Sequence, residues 1–274
     1  MKKITQKSIQ LLFKPREANT HKGNYGHALI IAGSMGCMGA AVFAAKACLR
    51  AGVGLLTINI PADERFILQT TIPEAILLRR ENIACDFKRF SAIGIGPGLG
   101  IDAVAVELLT HLLSQITQPL LLDADALNSI SANTHLIDLL PPQTILTPHP
   151  KEFDRLFGMH KNDEERIRTA VQKAKELNLI IVLKGHRTII TNGIEIFQNT
   201  TGNAGLAKAG SGDALTGIIT AFLAQGYQPI IAAQIGVYLH GLAADITLQQ
   251  QSMESMLITD VIENLGQAFK QIQS

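Results

Sequence analysis

A glycine-rich turn leading into a predicted helix holds the residues best suited to chemistry. Residues 202–217 read GNAGLAKAGSGDALTG, in which Gly210 and Gly212 flank Ser211, and Asp213 stands at the start of the helix. Glycine can adopt backbone angles closed to other residues, and without a Cβ it lets main-chain N–H groups approach a ligand closely. A helix N-terminus offers unpaired donors and partial positive charge, so this turn predicts a site for nucleotide phosphates.

Asp213 admits two interpretations. A carboxylate beside a phosphate-binding turn can act as a general base. An Asp at the start of a helix also commonly serves only as a cap. The short motif alone does not decide between them.

Other glycine and polar residues follow the ends of predicted strands. In an open α/β sheet the ligand lies beyond the carboxyl ends of the strands, so these segments are expected to converge on one rim. They are Gly33-Ser34, Gly96-Pro97-Gly98, Asp123-Ala124-Asp125, Thr147-Pro148-His149-Pro150, Lys184-Gly185 and the turn Gly210–Asp213.

Four charged or titratable side chains at this rim have more than one interpretation. Asp123 and Asp125 can bind a metal, act through its waters or fix a base, but an Asp at a strand-to-helix junction is also a frequent helix cap. His149, held between two prolines, can bind a polar group or orient a phosphate, or it can be only a turn residue. Lys184 can reach a phosphate, and a structural ion pair with Glu152 is the alternative.

Smaller residues at the rim are also ambiguous. Thr188 can donate to the group that Lys184 binds, although Thr is also simply common in strands. Ala40 opens the first long helix without a bulky side chain, which leaves room for a flat ring or a ribose or only reflects close packing. Gly98 allows close backbone approach, but GPG is also an ordinary turn. The loop 21–26 predicts an arm that closes over a ligand or lies at a subunit interface.

Short apolar runs alternate with helical patterns along most of the chain. This alternation predicts an α/β fold with a mostly parallel central sheet and helices on both faces. The runs RTIIT and IEIFQ flank Asn192-Gly193, which predicts an antiparallel hairpin at a late edge of the sheet. No linker or repeat divides the chain, so residues 1–274 are expected to form one domain. The predicted strands are 27–34, 53–59, 91–100, 119–127, 143–153 and 180–190, and the predicted helices are 39–51, 102–111 and 163–177.

Composition narrows the class of protein. With 274 residues, 47% of them hydrophobic, the chain can bury a large core. A formal net charge of +1, few aromatic residues and no Trp argue against nucleic acid as a partner. Cys37, Cys48 and Cys85 show no metal-binding or redox spacing, and the N-terminus lacks a secretory pattern, so a cytoplasmic location is expected.

The segment from Ala214 to Ala244 contains no acidic residue, Lys or Arg. A membrane span is one interpretation of such a run. Gly226 and Pro229 interrupt it, together with several polar residues that include His240. Two helices buried in the core are therefore predicted instead, and no membrane partner is expected.

Seven sequence blocks together closely resemble the NAD(P)H-hydrate dehydratase family, which comprises ribokinase-like repair enzymes. In chain order they are HKGNYGHALIIAGS, GAAVFAAKACLRAGVGLLT, GPGLG, LLDADAL, LTPHPKEF, VLKGHRT and GNAGLAKAGSGDALTG. The resemblance covers about residues 15–245, and all seven blocks follow the order of the family.

The resemblance implies an activity and a set of site residues. The activity is ADP-dependent, less readily ATP-dependent, dehydration of the S-epimer of NADH hydrate or NADPH hydrate, with release of AMP and phosphate. Asp213 would be the catalytic base. The substrate would contact Ala40, Gly98, His149 and Asp213, and the adenine nucleotide would contact Lys184, Gly185, His186, Arg187, Thr188, Ser211 and Gly212.

The resemblance also implies Mg²⁺, without assigning protein ligands to it, and a homotetramer. Many bacterial relatives carry a preceding epimerase domain, for which this chain is too short, so a separate epimerase is expected as a functional partner. A ribokinase-like kinase of a vitamin precursor, such as a hydroxymethylpyrimidine or a thiazole alcohol, is the nearest alternative. A nucleotide-sensing protein without turnover is the third.

Overall fold

The computed structural model describes residues 1–82 and 86–274. Within these ranges the chain forms ten strands. They are β1 Lys2–Ile4, β2 His27–Ile31, β3 Leu55–Ile60, β4 Ile76–Arg79, β5 Ala92–Ile95, β6 Leu120–Leu122, β7 Ile145–Leu146, β8 Ile180–Leu183, β9 Ile189–Thr191 and β10 Ile196–Asn199.

The same ranges contain α-helices between and after the strands. They are α1 Gln6–Leu12, α2 Met38–Arg50, α3 Arg65–Thr71, α4 Ala103–Leu113, α5 Ala124–Ala132, α6 Pro150–Phe157, α7 Asp163–Glu176, α8 Ser211–Ala224, α9 Pro229–Thr247, α10 Ile258–Glu263 and α11 Leu265–Gln273.

All ten strands join one sheet in the order β1-β10-β9-β8-β7-β6-β5-β2-β3-β4. The strands from β8 through β4 in this order are parallel, whereas β9 is antiparallel to both of its neighbours. The predicted α/β class with a mostly parallel sheet is confirmed. Because all strands except β9 run in one direction, their carboxyl ends lie on one rim.

Strand β2 shows that both faces of the sheet are covered. Ala28 and Ile30 belong to the larger core, which also contains buried residues of α2, α8 and α9. Leu29 and Ile31 belong to a second core with buried residues of α4 and α5. Alternate side chains point to opposite faces of a strand, so a strand buried on both faces must be apolar throughout.

The late hairpin forms as predicted, but its position differs. Strands β9 and β10 pair in antiparallel fashion around Asn192-Gly193. The outer side of β10 is covered by β1, which runs parallel to it and forms the edge. Only Ile4 of β1 is buried, so this three-residue strand carries no alternation of apolar and polar residues that could predict it.

Five of the six predicted strands extend past the carboxyl ends of the observed ones, and three of them show why. The run 180–190 contains two antiparallel strands, β8 and β9, joined by a turn that contains Lys184. Strand β6 ends at Leu122, and the DADAL segment opens α5. Strand β7 is only Ile145–Leu146, because Pro150 at the first position of α6 favours a helix there.

The apolar segment folds into two helices, as predicted. Helices α8 and α9 pack against each other, and most of their residues are buried. Helix α9 is long and apolar enough to cross a membrane, but 78% of its apolar stretch is buried inside the protein. Its composition therefore reflects its place in the core.

The N-terminal arm does not cover the rim. Lys22–Tyr25 forms a short 3₁₀ helix capped by the His21 side chain, and the Tyr25 carbonyl accepts a hydrogen bond from Gly54 N–H. Gly54 lies just before β3, so the arm packs at the amino ends of the strands. The prediction that it closes over a ligand in this chain's own cleft is therefore wrong.

The cysteines are spread over the fold. Cys37 is exposed at the start of α2, and Cys48 is buried in the same helix. Burial raises the pKa of the Cys48 thiol, which favours an unreactive, protonated side chain. Cys85 lies outside the described residues.

Candidate active site

A cavity of about 680 Å³ opens beside the carboxyl end of β8 and the start of α8. Its size is typical of a site for a small ligand. Several predicted site residues line it, namely His149, Lys184, Gly185, His186, Thr188, Ser211 and Gly212. The cavity also has a wall formed by residues 199–209 and by α9.

The two glycines of the turn Gly210–Asp213 are required for different reasons. Gly210 is the N-cap of α8 and has a φ of 91°, in the left-handed region. Gly212 lies inside the helix, so the expectation of an unusual backbone angle there is wrong. A Cβ at Gly212 would instead lie 3.1 Å from Lys184 Nζ and 3.4 Å from Asp123 Oδ2. Close approach by charged side chains explains the second glycine.

Lys184 is held by carboxylates on two neighbouring elements. Its Nζ lies 2.7 Å from Asp123 Oδ1 and 3.9 Å from Glu152 Oε2. Burial alone would lower the pKa of Lys184, but Asp123 and Glu152 outweigh it and raise the pKa. The ammonium is therefore kept charged at the start of α8. The predicted alternative partner, Glu152, is present but is farther away than Asp123.

Asp123 connects three parts of the rim. It follows β6 and is 1% exposed. One oxygen accepts from Lys184 Nζ, and the other accepts from Thr216 Oγ1 at 2.9 Å. Although Asp123 occupies the N-cap position of α5, its side chain makes no capping hydrogen bond. The helix-cap interpretation therefore does not hold for this residue.

Asp213 lies in the first turn of α8, where Gly210 occupies the cap position and no side chain caps the helix. Its pKa is raised to about 6, chiefly by burial and then by the negative charge of Asp123, while Lys184 opposes the shift. A carboxylate with a pKa near neutrality is a better proton acceptor than an ordinary Asp. The geometry favours the base interpretation over the cap interpretation.

His149 caps helix α6, a role that the sequence interpretation missed. Its Nδ1 accepts hydrogen bonds from the N–H groups of Lys151 and Glu152, and Glu152 Oε2 accepts from His149 N–H at 2.8 Å. The His149 side chain is 43% exposed and lines the cavity. Because Nδ1 is an acceptor, the neutral ring carries its proton on Nε2, which can donate to a ligand. The pattern HPKE, with Glu three residues after the cap, could have revealed this capping box.

Asp125 supports a glycine turn. Its Oδ2 accepts from Gly100 N–H at 2.9 Å, just beyond the GPG segment. Asp125 therefore holds this turn, and no side chain caps the start of α5. Throughout residues 1–82 and 86–274, no group of three or more His, Cys, Asp or Glu side chains is arranged to hold a metal ion.

Ala40 and Gly98 lie next to each other, outside the lining of the 680 Å³ cavity. Gly98 has a φ of 61°, and a Cβ there would lie 3.0 Å from the Ala40 Cβ. One turn after Ala40, the Phe43 ring lies 2.6 Å from where a Gly210 Cβ would be. Helix α2 therefore brings the Ala40 and Gly98 pair beside the start of α8, where Asp213 lies.

Arg187 and Thr188 are placed differently. Thr188 lines the cavity, and its Oγ1 donates to the Gly185 carbonyl at 3.3 Å. The Arg187 guanidinium donates to the Thr200 carbonyl at 3.1 Å and is not among the lining residues. Of this predicted pair, only Thr188 is positioned to contact a ligand in the cavity.

The wall formed by residues 199–209 and α9 was missed. Asp245 in α9 holds this loop by accepting from Gly202 N–H at 2.8 Å and from Asn203 Nδ2 at 3.0 Å. Lys208 and His240 also line the cavity. His240 is a partial sequence signal for this wall, because it interrupts an otherwise apolar helix. The sequence does not show that its side chain faces the cavity.

Comparison with known proteins gives a consistent result. The family described as NAD(P)H-hydrate dehydratase matches residues 28–267. The ADP-dependent (S)-NAD(P)H-hydrate dehydratase of Listeria monocytogenes is 36% identical, over 97% of this chain and 95% of that protein. The bifunctional NAD(P)H-hydrate repair enzyme of Moorella thermoacetica is 38% identical over 94% of this chain, which spans about half (52%) of the longer relative.

Solved structures agree. The ADP/ATP-dependent NAD(P)H-hydrate dehydratase of Bacillus subtilis, co-crystallised with ATP/Mg²⁺, has a TM-score of 0.88 and 31% identity, with 99% of this chain and 98% of that chain covered. A hydroxyethylthiazole kinase of Pyrococcus horikoshii has a TM-score of 0.65 at 14% identity, over 91% of this chain and 89% of that one. The second likeness shows the ribokinase-like fold alone.

Proposed function

The chain belongs to the NAD(P)H-hydrate dehydratase family, and from this premise we propose that it converts the S-epimer of NADH hydrate and NADPH hydrate to NADH and NADPH. ADP is the proposed co-substrate, with ATP as the less favoured one, and the products are AMP and phosphate. The observation that carries the proposal is that His149, Lys184 and Gly212, from three separate elements, line one cavity beside Asp213.

The nucleotide would bind with its phosphates at the start of α8. At the start of this helix the N–H of Ser211 donates to the Lys208 carbonyl at 3.4 Å, whereas the N–H of Gly212 is a donor that the helix itself leaves unpaired, at the positive end of the helix dipole. The ammonium of Lys184 adds a full charge beside Gly212. Residues 184–188 form the adjoining wall, and Gly185, His186 and Thr188 line the cavity there.

The hydrated nicotinamide ring would lie beside Ala40, Gly98, His149 and Asp213. The small residues leave room for a ring, and His149 Nε2 can donate to a polar substituent. Asp213 would remove the proton from the ring hydroxyl, whose oxygen then attacks the terminal phosphoryl group of ADP. AMP leaves from that phosphorus. Electron donation from the ring nitrogen then breaks the carbon–oxygen bond and releases phosphate, and loss of a proton from the neighbouring ring carbon to water gives the reduced nicotinamide.

This route replaces a poor leaving group with a good one. Hydroxide is strongly basic, whereas phosphate departs readily. The protein contributes mainly position and charge neutralisation, as in other phosphoryl transfers. Lys184 and the amides of α8 would stabilise negative charge on the transferred phosphoryl group.

The residues of this site are compatible with Mg²⁺ that binds together with the nucleotide phosphates. Mg²⁺ usually keeps several waters and needs one or two carboxylates besides phosphate oxygens. Asp123 and Glu152 lie beside Lys184, where phosphates would bind, and the described ranges hold no three-ligand cluster. When bound, Mg²⁺ would neutralise part of the phosphate charge.

We further propose that residues 1–274 form one domain, because β1 at the N-terminus pairs with β10 and α1 packs against α11 near the C-terminus. A homotetramer and a cytoplasmic location complete the proposal. The reaction uses one epimer only, so an epimerase that interconverts the two hydrates is the proposed functional partner.

The direct test is incubation with NADH hydrate, Mg²⁺ and either ADP or ATP. Recovery of the absorbance of reduced nicotinamide, with stoichiometric AMP and free phosphate from ADP, is expected. A stable phosphorylated product from a hydroxymethylpyrimidine or a thiazole alcohol, with no recovery of NADH, would instead favour a kinase. The kinase is less supported, because the likeness to a thiazole kinase concerns the fold alone.

A further inference from the structure

One side chain in the wall of the cavity has a buried nitrogen without a hydrogen-bond partner. His240 lies in α9 and is 6% exposed, and its Nε2 has no partner within the ranges that the structure describes. An unpaired buried polar atom costs free energy and is rare in native proteins. Ser129 Oγ is in the same condition, but Ser129 does not line the cavity. A bound ligand could supply the missing partner for His240.

The position of His240 indicates which part of a nucleotide it would meet. Lys184 and Gly212 mark the end of the cavity proposed for phosphates, and Lys184 is near enough for its charge to act on His240. Thr201, in the wall formed by residues 199–209, contacts the same stretch of α9, because its Oγ1 donates to the Tyr238 carbonyl at 2.8 Å and lies 2.4 Å from where a Gly241 Cβ would be. The part of α9 that holds His240 is therefore close both to the charge of Lys184 and to this wall. In a nucleotide, the ribose lies between the phosphates and the base.

The protonation state of His240 suits a hydroxyl group. Burial, and then the charge of Lys184, lowers the pKa of His240 to about 4. The ring is therefore neutral at physiological pH and offers one donor and one acceptor. A ribose hydroxyl can both donate and accept, whereas a phosphate oxygen accepts only and is better served by Lys184 and the amides of α8.

From this placement we propose that His240 binds the ribose of the nucleotide co-substrate through a hydrogen bond to one of its hydroxyl groups, and thereby favours ribonucleotides over deoxyribonucleotides. The inference rests on the nucleotide use proposed above. It adds a specificity-determining residue that lies in α9, outside the segments for which a nucleotide contact was predicted.

The test compares three nucleotides on four proteins. Dissociation constants for ADP, 2′-deoxy-ADP and 3′-deoxy-ADP are measured by calorimetry with Mg²⁺ on the wild type, His240→Phe, His240→Gln and the matched control Ser129→Ala. The wild type should bind ADP about 10-fold more tightly than one of the two deoxy nucleotides, the effect of one neutral hydrogen bond. In His240→Phe this ratio should fall to about 1, whereas Ser129→Ala should keep the wild-type ratio.

The Gln variant and the wild type also test the proposal. His240→Gln retains an amide donor and acceptor and should keep part of the ratio, and it carries the test alone if the Phe variant does not fold. Equal affinity of the wild type for all three nucleotides, or an unchanged ratio in the variants, would overturn the proposal and leave Nε2 to a water molecule. Binding needs no turnover, so a wild type that discriminates among the nucleotides but restores no NADH would reject the proposed function alone.

Discussion

The Nζ of Lys184 lies 2.7 Å from Oδ1 of Asp123, although 61 residues separate them in the chain. The pair joins the ends of β6 and β8 at the point where α8 begins, since Asp123 also accepts from Thr216 Oγ1. Lys184 is thereby fixed at the site proposed for phosphates. The charge of Asp123 also contributes to the raised pKa of Asp213. One buried carboxylate thus influences both of the groups proposed to act on the nucleotide and on the substrate.

Asp213 is the proposed general base. Asp213→Ala should lower kcat by about 10² to 10⁴, the usual contribution of general acid–base catalysis. The affinity for ADP should change far less, because the amides of α8 and Lys184 remain. Steady-state rates and equilibrium binding of ADP measure the two effects, with Asp138→Asn, an exposed Asp, as the control. Near-normal turnover in Asp213→Ala would remove its role as a base.

The pH dependence follows from the same residue. Asp213 accepts a proton only when ionised, and its pKa is raised to about 6. The rate of the single-turnover reaction should therefore be constant above about pH 7 and fall tenfold per pH unit below about pH 6. A pH profile measured with ADP at saturation tests this. An acid limb centred near pH 4 would mean that an ordinary carboxylate, and not Asp213, limits the rate.

Asp213 should also lower the stability of the protein at neutral pH. A carboxyl group whose pKa is higher in the folded state than in the unfolded state favours folding at low pH, and this contribution is lost as the pH rises through about 6. Asp213→Asn should then raise the free energy of unfolding at pH 7.5 by about 1 to 2 kcal/mol, allowing for partial exposure. Denaturation with urea at pH 7.5 and pH 4 measures the free energy of unfolding of both proteins. The increase caused by Asp213→Asn should vanish at pH 4.

Asp123→Asn should change both the stability of the fold and the pH profile of the reaction. Removal of one partner from a buried ion pair leaves Lys184 with only Glu152, and it should destabilise the fold by about 3 kcal/mol. The loss of a negative charge near Asp213 should also move the acid limb of the pH profile to lower pH. The double variant Asp123→Asn, Lys184→Met is expected to recover stability but not activity. An acid limb that stays in place in Asp123→Asn would show that the charge of Asp123 does not act on Asp213.

Gly212→Ala separates binding from stability. Gly212 is the second residue of α8 and its φ is not positive, so Ala fits the helical backbone there and the fold should not be weakened through the helix itself. A Cβ at this position would lie 3.1 Å from Lys184 Nζ, which would displace the ammonium and crowd the phosphate site. The KM for ADP should rise about 10-fold or more, as expected if one charge-assisted contact is lost. Gly266→Ala in α11, where a Cβ meets open space, is the matched control.

The sequence predicted the parts of the structure that have periodic or positional signals. The strand-ending segments do meet at one rim, because a parallel sheet leaves little choice about where strand ends lie. Helices 39–51 and 163–177 were predicted within one residue of Met38–Arg50 and Asp163–Glu176. Strand β1 has no such signal, and it forms because β10 offers it an unpaired edge.

The less predictable part of the site consists of long-range pairings. Nothing local to Asp123 indicates that its partner is Lys184, and Glu152 was the more natural choice because it lies closer in the sequence. The orientation of α9, which turns His240 toward the cavity, depends on packing against α8 and on the anchoring of residues 202–203 by Asp245. These contacts arise from the assembled fold and not from any short segment.

The proposed reaction is tested most directly by a single-turnover experiment with the S-epimer of NADH hydrate, ADP and Mg²⁺. Reduced nicotinamide should reappear together with one AMP and one phosphate for each hydrate consumed, and Asp213→Ala should slow this step by at least about 10². Consumption of ADP without return of NADH, or return of NADH at the wild-type rate in Asp213→Ala, would contradict the account.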